Sequence, residues 1–227
     1  MNVLLFGATG MVGQGVLREC LRAEDVARVV TVGRAATSIR HPRLQEIQRS
    51  DLLDYRPLEA ELTGFDACFF CLGVSSVGMT QADYTRLTYD LTLAAAQTLS
   101  RLNPQMTFVY VSGAGTDASE RGRSMWARVK GRTENALQRL PFRAVFLFRP
   151  GAIQPLHGAI SKTPAVRFAY ALSRPVMPLL RRLMPGWVLT TEIVGQAMLA
   201  AARFGQGRAI LESPDIDALA KGRWRPR

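Results

Sequence analysis

The segment SMWARVKGRTE places Trp126 four residues ahead of Lys130. On a helix this spacing puts both side chains on one face, one turn apart. The lysine ammonium can donate a proton, whereas an indole N–H donates a hydrogen bond but has no usable acidity near neutral pH. Lys130 is therefore a candidate proton donor on this face, and Trp126 leaves any further source of a reaction proton open.

The run FGATGMVGQG carries Gly7, Gly10 and Gly13 in a Gly-x-x-Gly-x-x-Gly pattern between the first predicted strand and the first predicted helix. Glycines at these points permit a tight turn, close approach of the backbone to a pyrophosphate, and tight packing of helix on strand. The helix N-terminus adds free N–H groups for the phosphates. We therefore expect a dinucleotide site here, with Thr9, Met11 and Val12 also in contact with the cofactor.

The end of the second predicted strand indicates which dinucleotide binds. An acidic residue about 20 positions after the glycine loop would bind the ribose 2′-hydroxyl of NAD. The chain has Arg34 there, directly after Gly33, with Arg40, His41 and Arg43 nearby. A guanidinium favours the 2′-phosphate of NADP through charge-assisted hydrogen bonds. We expect NADP rather than NAD, and the alternative is an ordinary exposed arginine.

Further cofactor contacts are expected where the third and fourth predicted strands end. Asp51, in RSDLLD, is a candidate to contact the adenine together with Leu52, although a turn or helix-cap role is an alternative. Leu72, Gly73 and Val74 follow the fourth strand at the carboxyl edge, where ligands of open α/β sheets lie.

The elements that would position these residues alternate along the chain. Short, nearly continuous apolar runs predict strands covered on both faces, as in a parallel sheet. They lie at 2–6, 28–33, 44–48, 66–72, 107–112, 143–149 and 208–213, and helical patterns lie at 11–23, 80–101, 124–140 and 192–204. This alternation predicts an α/β, Rossmann-like, doubly wound parallel sheet. Residues 1–227 are expected to form one NAD(P)-binding domain.

The region 153–187 does not continue this alternation of strands and helices, because it is rich in proline, arginine and large apolar residues. We expect a small basic insertion or lid on the substrate side. Most of the formal net charge of +11 lies in the C-terminal half of the chain, since no acidic residue lies between Glu134 and Glu192. The excess favours an anionic ligand or peripheral contact with an anionic membrane surface, and no nucleic-acid partner is expected. Arg167, Arg174, Pro175 and Pro178 interrupt the longest apolar stretch, so it is not expected to span a bilayer.

Cys20, Cys68 and Cys71 are the three cysteines of the chain. Cys68 and Cys71 form a Cys-x-x-Cys, but within a predicted strand residues three apart point to opposite faces, which argues against a redox pair or metal site. Sparse cysteines and the lack of a visible signal peptide predict a cytoplasmic protein.

These segments together resemble the short-chain dehydrogenase/reductase superfamily, in particular its small atypical NAD(P)-binding group. That group includes the Tat-interacting-protein oxidoreductase and many bacterial proteins labelled as nucleoside-diphosphate-sugar epimerases. The resemblance covers nearly the whole chain, through GATGMVG, VGR, CLG, VSGAGTD, WARVKGRTE and FRPGAI.

The resemblance implies roles for several residues. Ser112 matches the serine that polarises a substrate carbonyl, Lys130 matches the lysine that holds the nicotinamide ribose, and Trp126 replaces the tyrosine that acts as general acid and base. Pro150, Gly151 and Ile153 match the segment near the nicotinamide. A strand-end serine bonded to local backbone and a solvated helix lysine are the structural alternatives for Ser112 and Lys130.

Three interpretations follow from Trp126. The protein is a carbonyl reductase or epimerase-like oxidoreductase whose proton comes from Lys130, from Ser112 through a water, or from Tyr84 or Tyr89. Alternatively, it is a dinucleotide-binding redox sensor or scaffold without turnover, or a protein attached through 153–187 to an anionic membrane or lipid-like substrate. The sequence leaves the substrate and the oligomeric state open.

Overall fold

The computed structural model describes residues 1–159 and 186–225. Its main sheet is parallel throughout, with the strand order β3-β2-β1-β4-β5-β6-β9. The strands are β1 (Asn2–Phe6), β2 (Arg28–Gly33), β3 (Leu44–Gln48), β4 (Ala67–Phe70), β5 (Thr107–Val111), β6 (Ala144–Arg149) and β9 (Gly207–Glu212). The order reverses between β1 and β4, which opens a crevice at the carboxyl ends of these two strands.

Helices cover both faces of this sheet. They are α1 (Met11–Arg22), α2 (Gln81–Thr85), α3 (Leu91–Leu102), α4 (Met125–Leu137), α5 (Thr191–Phe204) and α6 (Ser213–Ala220), with a π-helical segment at Arg86–Asp90 and a 3₁₀ turn at Arg56–Leu58. Val3 and Leu5 of β1 pack in the core under α1 and α5, and Leu4 and Phe6 pack in the core under α3 and α4. This alternation confirms the predicted Rossmann-like, doubly wound α/β fold.

The predicted strands and helices agree with the structure to within one to three residues at their ends. The predicted helix 80–101 is divided into α2, the π-helical segment and α3. The helix α5 ends at Phe204, as predicted, and its C-cap residue Gly205 has a φ of −76°, outside the left-handed region. Glycine is needed there for another reason, because a Cβ would overlap the ring of Phe146.

Two short strands frame the predicted insertion. The strand β7 (Ala152–Gln154) pairs in parallel with β8 (Val188–Thr190), so that Ala152 lies opposite Val188. Most of the segment 153–187, including its basic, proline-rich part and the lid expected there, lies outside the described residues. Within the described ranges, none of the helices combines the length and apolarity needed to cross a bilayer.

The cysteines lie in two separate parts of the core. Cys20 is buried between α1 and the sheet, where Cys71 packs against the same cluster, whereas Cys68 is buried on the opposite face. Burial raises the pKa of all three thiols. The expected opposition of Cys68 and Cys71 is therefore present, and neither thiol has the lowered pKa of a reactive cysteine.

Candidate functional site

The glycine loop between β1 and α1 is built by backbone contacts that exclude side chains. Gly7 has a φ of +79°, and a Cβ there would lie 2.7 Å from the backbone carbon of Cys71. The Gly10 N–H donates to the carbonyl of Gly7 at 2.9 Å, which closes the turn. A Cβ on Gly13 would overlap the carbonyl oxygen of Gly7. Gly7 and Gly13 thus hold the first turn of α1 directly against the loop.

The N-terminus of α1 offers backbone donors to a phosphate. Its N-cap is Gly10 in an extended conformation, no side chain caps it, and no acidic residue lies in its first turn. The Met11 and Val12 side chains are partly buried against the core, and their N–H groups lie in the first turn of the helix. These features fit a pyrophosphate, which needs N–H donors and a positive helix end.

Beside this helix end lies a cleft of about 410 Å³, bordered by the glycine loop, the end of β2 and the end of β4. Thr9 and Arg34 line it, together with Leu72 and Gly73. A Cβ on Gly73 would meet no protein atom within 4 Å, so its backbone borders open space. The structure therefore brings together the expected residues from three separate segments at the strand-order reversal.

A second cleft, of about 360 Å³, continues from the first through Arg34, Leu72 and Gly73. Asp51, Leu52 and Val74, which were all expected as cofactor contacts, line it. Asp51 also has the local role considered as the alternative, because its Oδ1 accepts from the Leu53 N–H at 2.8 Å. Arg34 is exposed at the junction of the two clefts.

Lys130 lies on α4 with its ammonium directed at the end of β5. Its Nζ donates to the Val111 carbonyl at 3.3 Å and lies 5.2 Å from the centre of the Tyr110 ring. Burial lowers the pKa of Lys130 to about 8, and the nearby Glu134 carboxylate partly opposes this shift. Lys130 is therefore a half-buried lysine beside Ser112, rather than a solvated helix lysine.

The Trp126 indole covers the loop that follows Ser112. A Cβ on Gly113 would lie 3.8 Å from Trp126 Cζ3, and one on Gly115 would lie 3.7 Å from its Cη2. The loop is folded against α4, since the Asp117 N–H donates to the Ala127 carbonyl at 3.1 Å. Trp126 thus packs on the Gly113–Gly115 loop from the position where the resemblance places the tyrosine, and it lies outside the linings of the two clefts.

The hydroxyl of Ser112 is buried and already bonded. Its Oγ lies 2.9 Å from the Thr116 Oγ1, and Thr116 donates its own proton to the Gly113 carbonyl at 2.7 Å. Because a hydroxyl has one proton to donate, Ser112 is the donor to Thr116. In this arrangement the Ser112 proton is already used, and polarising a carbonyl would require its hydroxyl to rotate.

An ion pair joins the Lys130 helix to the Arg-Pro-Gly segment. Arg149 donates from Nε and Nη2 to the two carboxylate oxygens of Glu134, at 3.1 and 2.6 Å, and Glu134 is 0% exposed. The following Pro150 carbonyl accepts from the Ala114 N–H at 2.9 Å, and the Gly151 N–H donates to Ser213 Oγ at 2.9 Å.

Ile153 has only 6% of its side chain exposed and packs in the core on β7. Together with Pro150 and Gly151, it lies outside the linings of the two clefts. The expected contacts of these three residues with the nicotinamide stay predictions.

The two tyrosines considered as proton donors have other environments. Tyr84 is 2% exposed, and burial raises its pKa. The ring of Tyr89 lies 4.3 Å from the Arg132 guanidinium carbon. Burial therefore makes the Tyr84 hydroxyl a poor proton donor.

Several residues of the site were missed from the sequence. Arg86, Leu87 and Asp83 line the second cleft, and their spacing along a helix was the available signal. Glu134 follows Lys130 by one turn, so its position in WARVKGRTE was the signal for a buried partner. No pattern in the sequence pointed to Thr116.

Residues 3–123 match the NAD dependent epimerase/dehydratase family. A relative named Protein fmp52-2, mitochondrial, from Aspergillus oryzae is 25% identical over 237 residues, which cover 97% of each chain. Protein HTATIP2 from Rattus norvegicus is 25% identical over 155 residues, or 67% of this chain and 62% of that protein. The expected cytoplasmic location is contradicted by the fungal relatives, whose names describe them as mitochondrial.

Solved structures show the same fold. The Bordetella bronchiseptica enzyme WbmF, in complex with NAD+, has a TM-score of 0.69 at 19% identity, covering 97% of this chain and 76% of that one. A UDP-glucose 4-epimerase has a TM-score of 0.68 at 14% identity, covering 93% and 76%. These comparisons support a nicotinamide dinucleotide as the class of cofactor. The chain belongs to the NAD dependent epimerase/dehydratase family, in the atypical group of short-chain dehydrogenase/reductase proteins.

Proposed function

We propose that this protein is an NADP(H)-dependent oxidoreductase that interconverts a carbonyl and a hydroxyl group without a tyrosine acid. The observation that carries the proposal is the position of Lys130, half-buried on α4 and bonded through Nζ to the carbonyl of the residue before Ser112. Burial lowers the pKa of Lys130 to about 8. General acids and bases are most effective when their pKa lies near the working pH, so Lys130 is suited to exchange a proton.

In this proposal the chain holds the dinucleotide through three groups of residues. The backbone around Gly7, Gly10 and Gly13 binds the pyrophosphate, Arg34 binds the 2′-phosphate, and the second cleft takes the adenosine end. Thr9, Met11 and Val12 complete the first group, Asp51, Leu52, Leu72, Gly73 and Val74 line the last, and Pro150, Gly151 and Ile153 lie towards the nicotinamide. The bound cofactor would supply or accept a hydride.

The side chains around the end of β5 have separate tasks. Lys130 binds the ribose hydroxyls and carries the proton at Nζ, and Trp126 walls the site and excludes water above Gly113 and Gly115. Ser112 orients the substrate oxygen after its hydroxyl turns away from Thr116. Positioning and electrostatic contacts of this kind support hydride transfer even where general acid catalysis is weak.

Restoring the missing acid tests the proposal. We expect Trp126→Tyr to raise NADPH-dependent reduction in a panel of aldehydes and quinones, by up to the roughly 10²–10⁴-fold that a positioned acid contributes. Trp126→Phe is the matched control, because it keeps an aromatic ring without a hydroxyl. If the unmodified protein and Trp126→Tyr both lack activity while NADPH remains bound, the oxidoreductase proposal fails.

The second candidate is a dinucleotide-binding sensor or scaffold without turnover. The bond from Ser112 to Thr116 favours it, because the hydroxyl expected to polarise a carbonyl has already donated its proton. This candidate predicts NADPH binding with no substrate-dependent oxidation in the panel, even when Thr116 is replaced by valine to release Ser112.

A further inference from the structure

Two arginines line one cleft without an ionic partner in the described parts of the chain. Arg34 follows β2, and Arg86 begins the π-helical segment between α2 and α3. Both side chains are exposed, and neither forms a hydrogen bond, ion pair or ring contact with a described residue. Two guanidinium groups on one cleft, with no ion pair to compensate them, indicate an anionic ligand.

The acidic residues of this cleft do not pair with the arginines. Asp51 Oδ1 accepts from the Leu53 N–H at 2.8 Å, in a local turn. Asp83 Oδ2 accepts from the Thr80 hydroxyl at 2.7 Å, within the N-terminal cap of α2. Each carboxylate has a local structural role, so both arginines remain available to a ligand.

The helix that carries Arg86 is attached to the body of the protein by other residues. Arg128 of α4 donates to Gln81 Oε1 at 2.9 Å, and the Arg132 guanidinium carbon lies 4.3 Å from the centre of the Tyr89 ring. These contacts hold both ends of the segment against α4, while Arg86 lies on the cleft. A π-helical turn at this place fits a local functional role, since such turns recur at functional sites.

The cleft has apolar walls between its charged groups. Leu52, Leu72, Leu87 and Leu91 line it, and these side chains suit the faces of an adenine ring. An adenosine that carries an additional phosphate monoester would occupy the apolar part with its base and meet guanidinium groups with its phosphate. The planar fork of arginine matches phosphate geometry.

We propose that Arg86, on the π-helical segment, is a second contact for the 2′-phosphate of the dinucleotide and acts together with Arg34, which follows β2. This inference rests on the NADP(H) preference of the proposed function. It adds Arg86 to Arg34 as a residue that binds the 2′-phosphate. Selection of the phosphorylated cofactor then depends on the α2–π-helical segment as well as on the residue after β2.

The test measures binding by calorimetry with two nucleotide pairs, NADPH and NADH, and 2′,5′-ADP and 5′-AMP. Arg86→Gln and Arg34→Gln are compared with Arg139→Gln, which removes an exposed arginine outside both clefts. We expect each cleft variant to weaken NADPH and 2′,5′-ADP by roughly tenfold or more, as for the loss of a charge-assisted hydrogen bond. Binding of NADH and 5′-AMP, and all binding by Arg139→Gln, should change by less than about twofold.

The outcomes separate this inference from the proposed function. If the unmodified protein binds NADH as tightly as NADPH, the cofactor preference is wrong and Arg86 loses its role with it. If NADPH is preferred and Arg86→Gln retains that preference, only the role of Arg86 is overturned. An equal loss for phosphorylated and unphosphorylated nucleotides would assign Arg86 to the base or ribose and would also overturn it. Arg86→Lys, which retains the charge, should keep part of the preference.

Discussion

Glu134 of α4 and Arg149 at the end of β6 form a two-point ion pair in which the glutamate is 0% exposed. Arg149 also lies 3.4 Å from Glu212, the residue that caps α6. One guanidinium therefore joins the helix of Lys130, the Arg-Pro-Gly segment and the start of the last described helix. Burying such a pair costs desolvation energy, so its net contribution to stability is small. Its main effect is to fix the positions of the three segments that it joins.

We expect Glu134→Ala to lower the free energy of unfolding by about 3 kcal/mol or more, because the half-buried Arg149 would lose its two-bond partner and keep only the longer contact with the more exposed Glu212. Urea unfolding checks this value. Glu59→Ala breaks an exposed ion pair with Arg101 and should cost less than about 1 kcal/mol. A double variant, Glu134→Leu with Arg149→Met, should recover much of the loss, and equal destabilisation by the double variant would contradict this explanation.

The pKa of Lys130 predicts how stability varies with pH. Burial lowers this pKa from an ordinary value of 10.5 to about 8. Between these values the unfolded chain binds more protons than the folded chain, so the contribution of Lys130 to stability rises with pH across this window. Lys130→Met should remove that rise in unfolding curves measured from pH 7.5 to 10, while Lys221→Met, at a more exposed pair with Asp217, should keep it.

Gly131 is required by packing and not by its backbone angle. A Cβ there would overlap the carbonyl of Asp117, which lies in the loop under Trp126. Helix propensity alone favours alanine over glycine by about 1 kcal/mol. We nevertheless expect Gly131→Ala to lower the unfolding free energy by roughly 1–3 kcal/mol, as for overpacking, and to alter Trp126 fluorescence. A stabilised variant with unchanged emission would refute this.

Thr116 controls the direction of the Ser112 hydroxyl. Thr116→Val removes the acceptor of the Ser112 proton, so Ser112 becomes free to donate to a substrate carbonyl. Under the oxidoreductase proposal we expect kcat for NADPH-dependent reduction to rise several-fold, with NADPH affinity unchanged. Thr116→Ser, which keeps the acceptor, is the control and should behave as the unmodified protein. A fall in kcat with Thr116→Val would mean that the observed Ser112 orientation is the productive one.

The fold was predictable because its signals are local. Val3 to Phe6 are apolar without interruption, and Gly7 follows them directly, so both the buried strand and the turn could be read from adjacent residues. The same holds for the first cofactor cleft, whose residues follow the ends of predicted strands. The π-helical segment was not predictable, since its sequence continues the helical pattern on either side.

The remainder of the site depends on contacts between distant segments. Glu134 and Arg149 meet only after α4 has packed on β6, and the Ser112 proton is assigned only when the Thr116 bond to Gly113 is known. The strand β7 has three residues and is fixed by its partner β8 rather than by its own pattern. Long-range pairing of this kind leaves little periodicity for a single sequence to show.

The β7–β8 pair has a consequence for how the length of the chain between these two strands can vary. Parallel neighbours cannot be joined by a hairpin and need a crossover of about a dozen residues or more. The connection from Gln154 to Val188 therefore has a lower limit on its length but no upper limit set by these strands. Because both of its ends are held by the same ladder, we expect changes in the length of this connection to leave the main sheet and the two clefts unchanged.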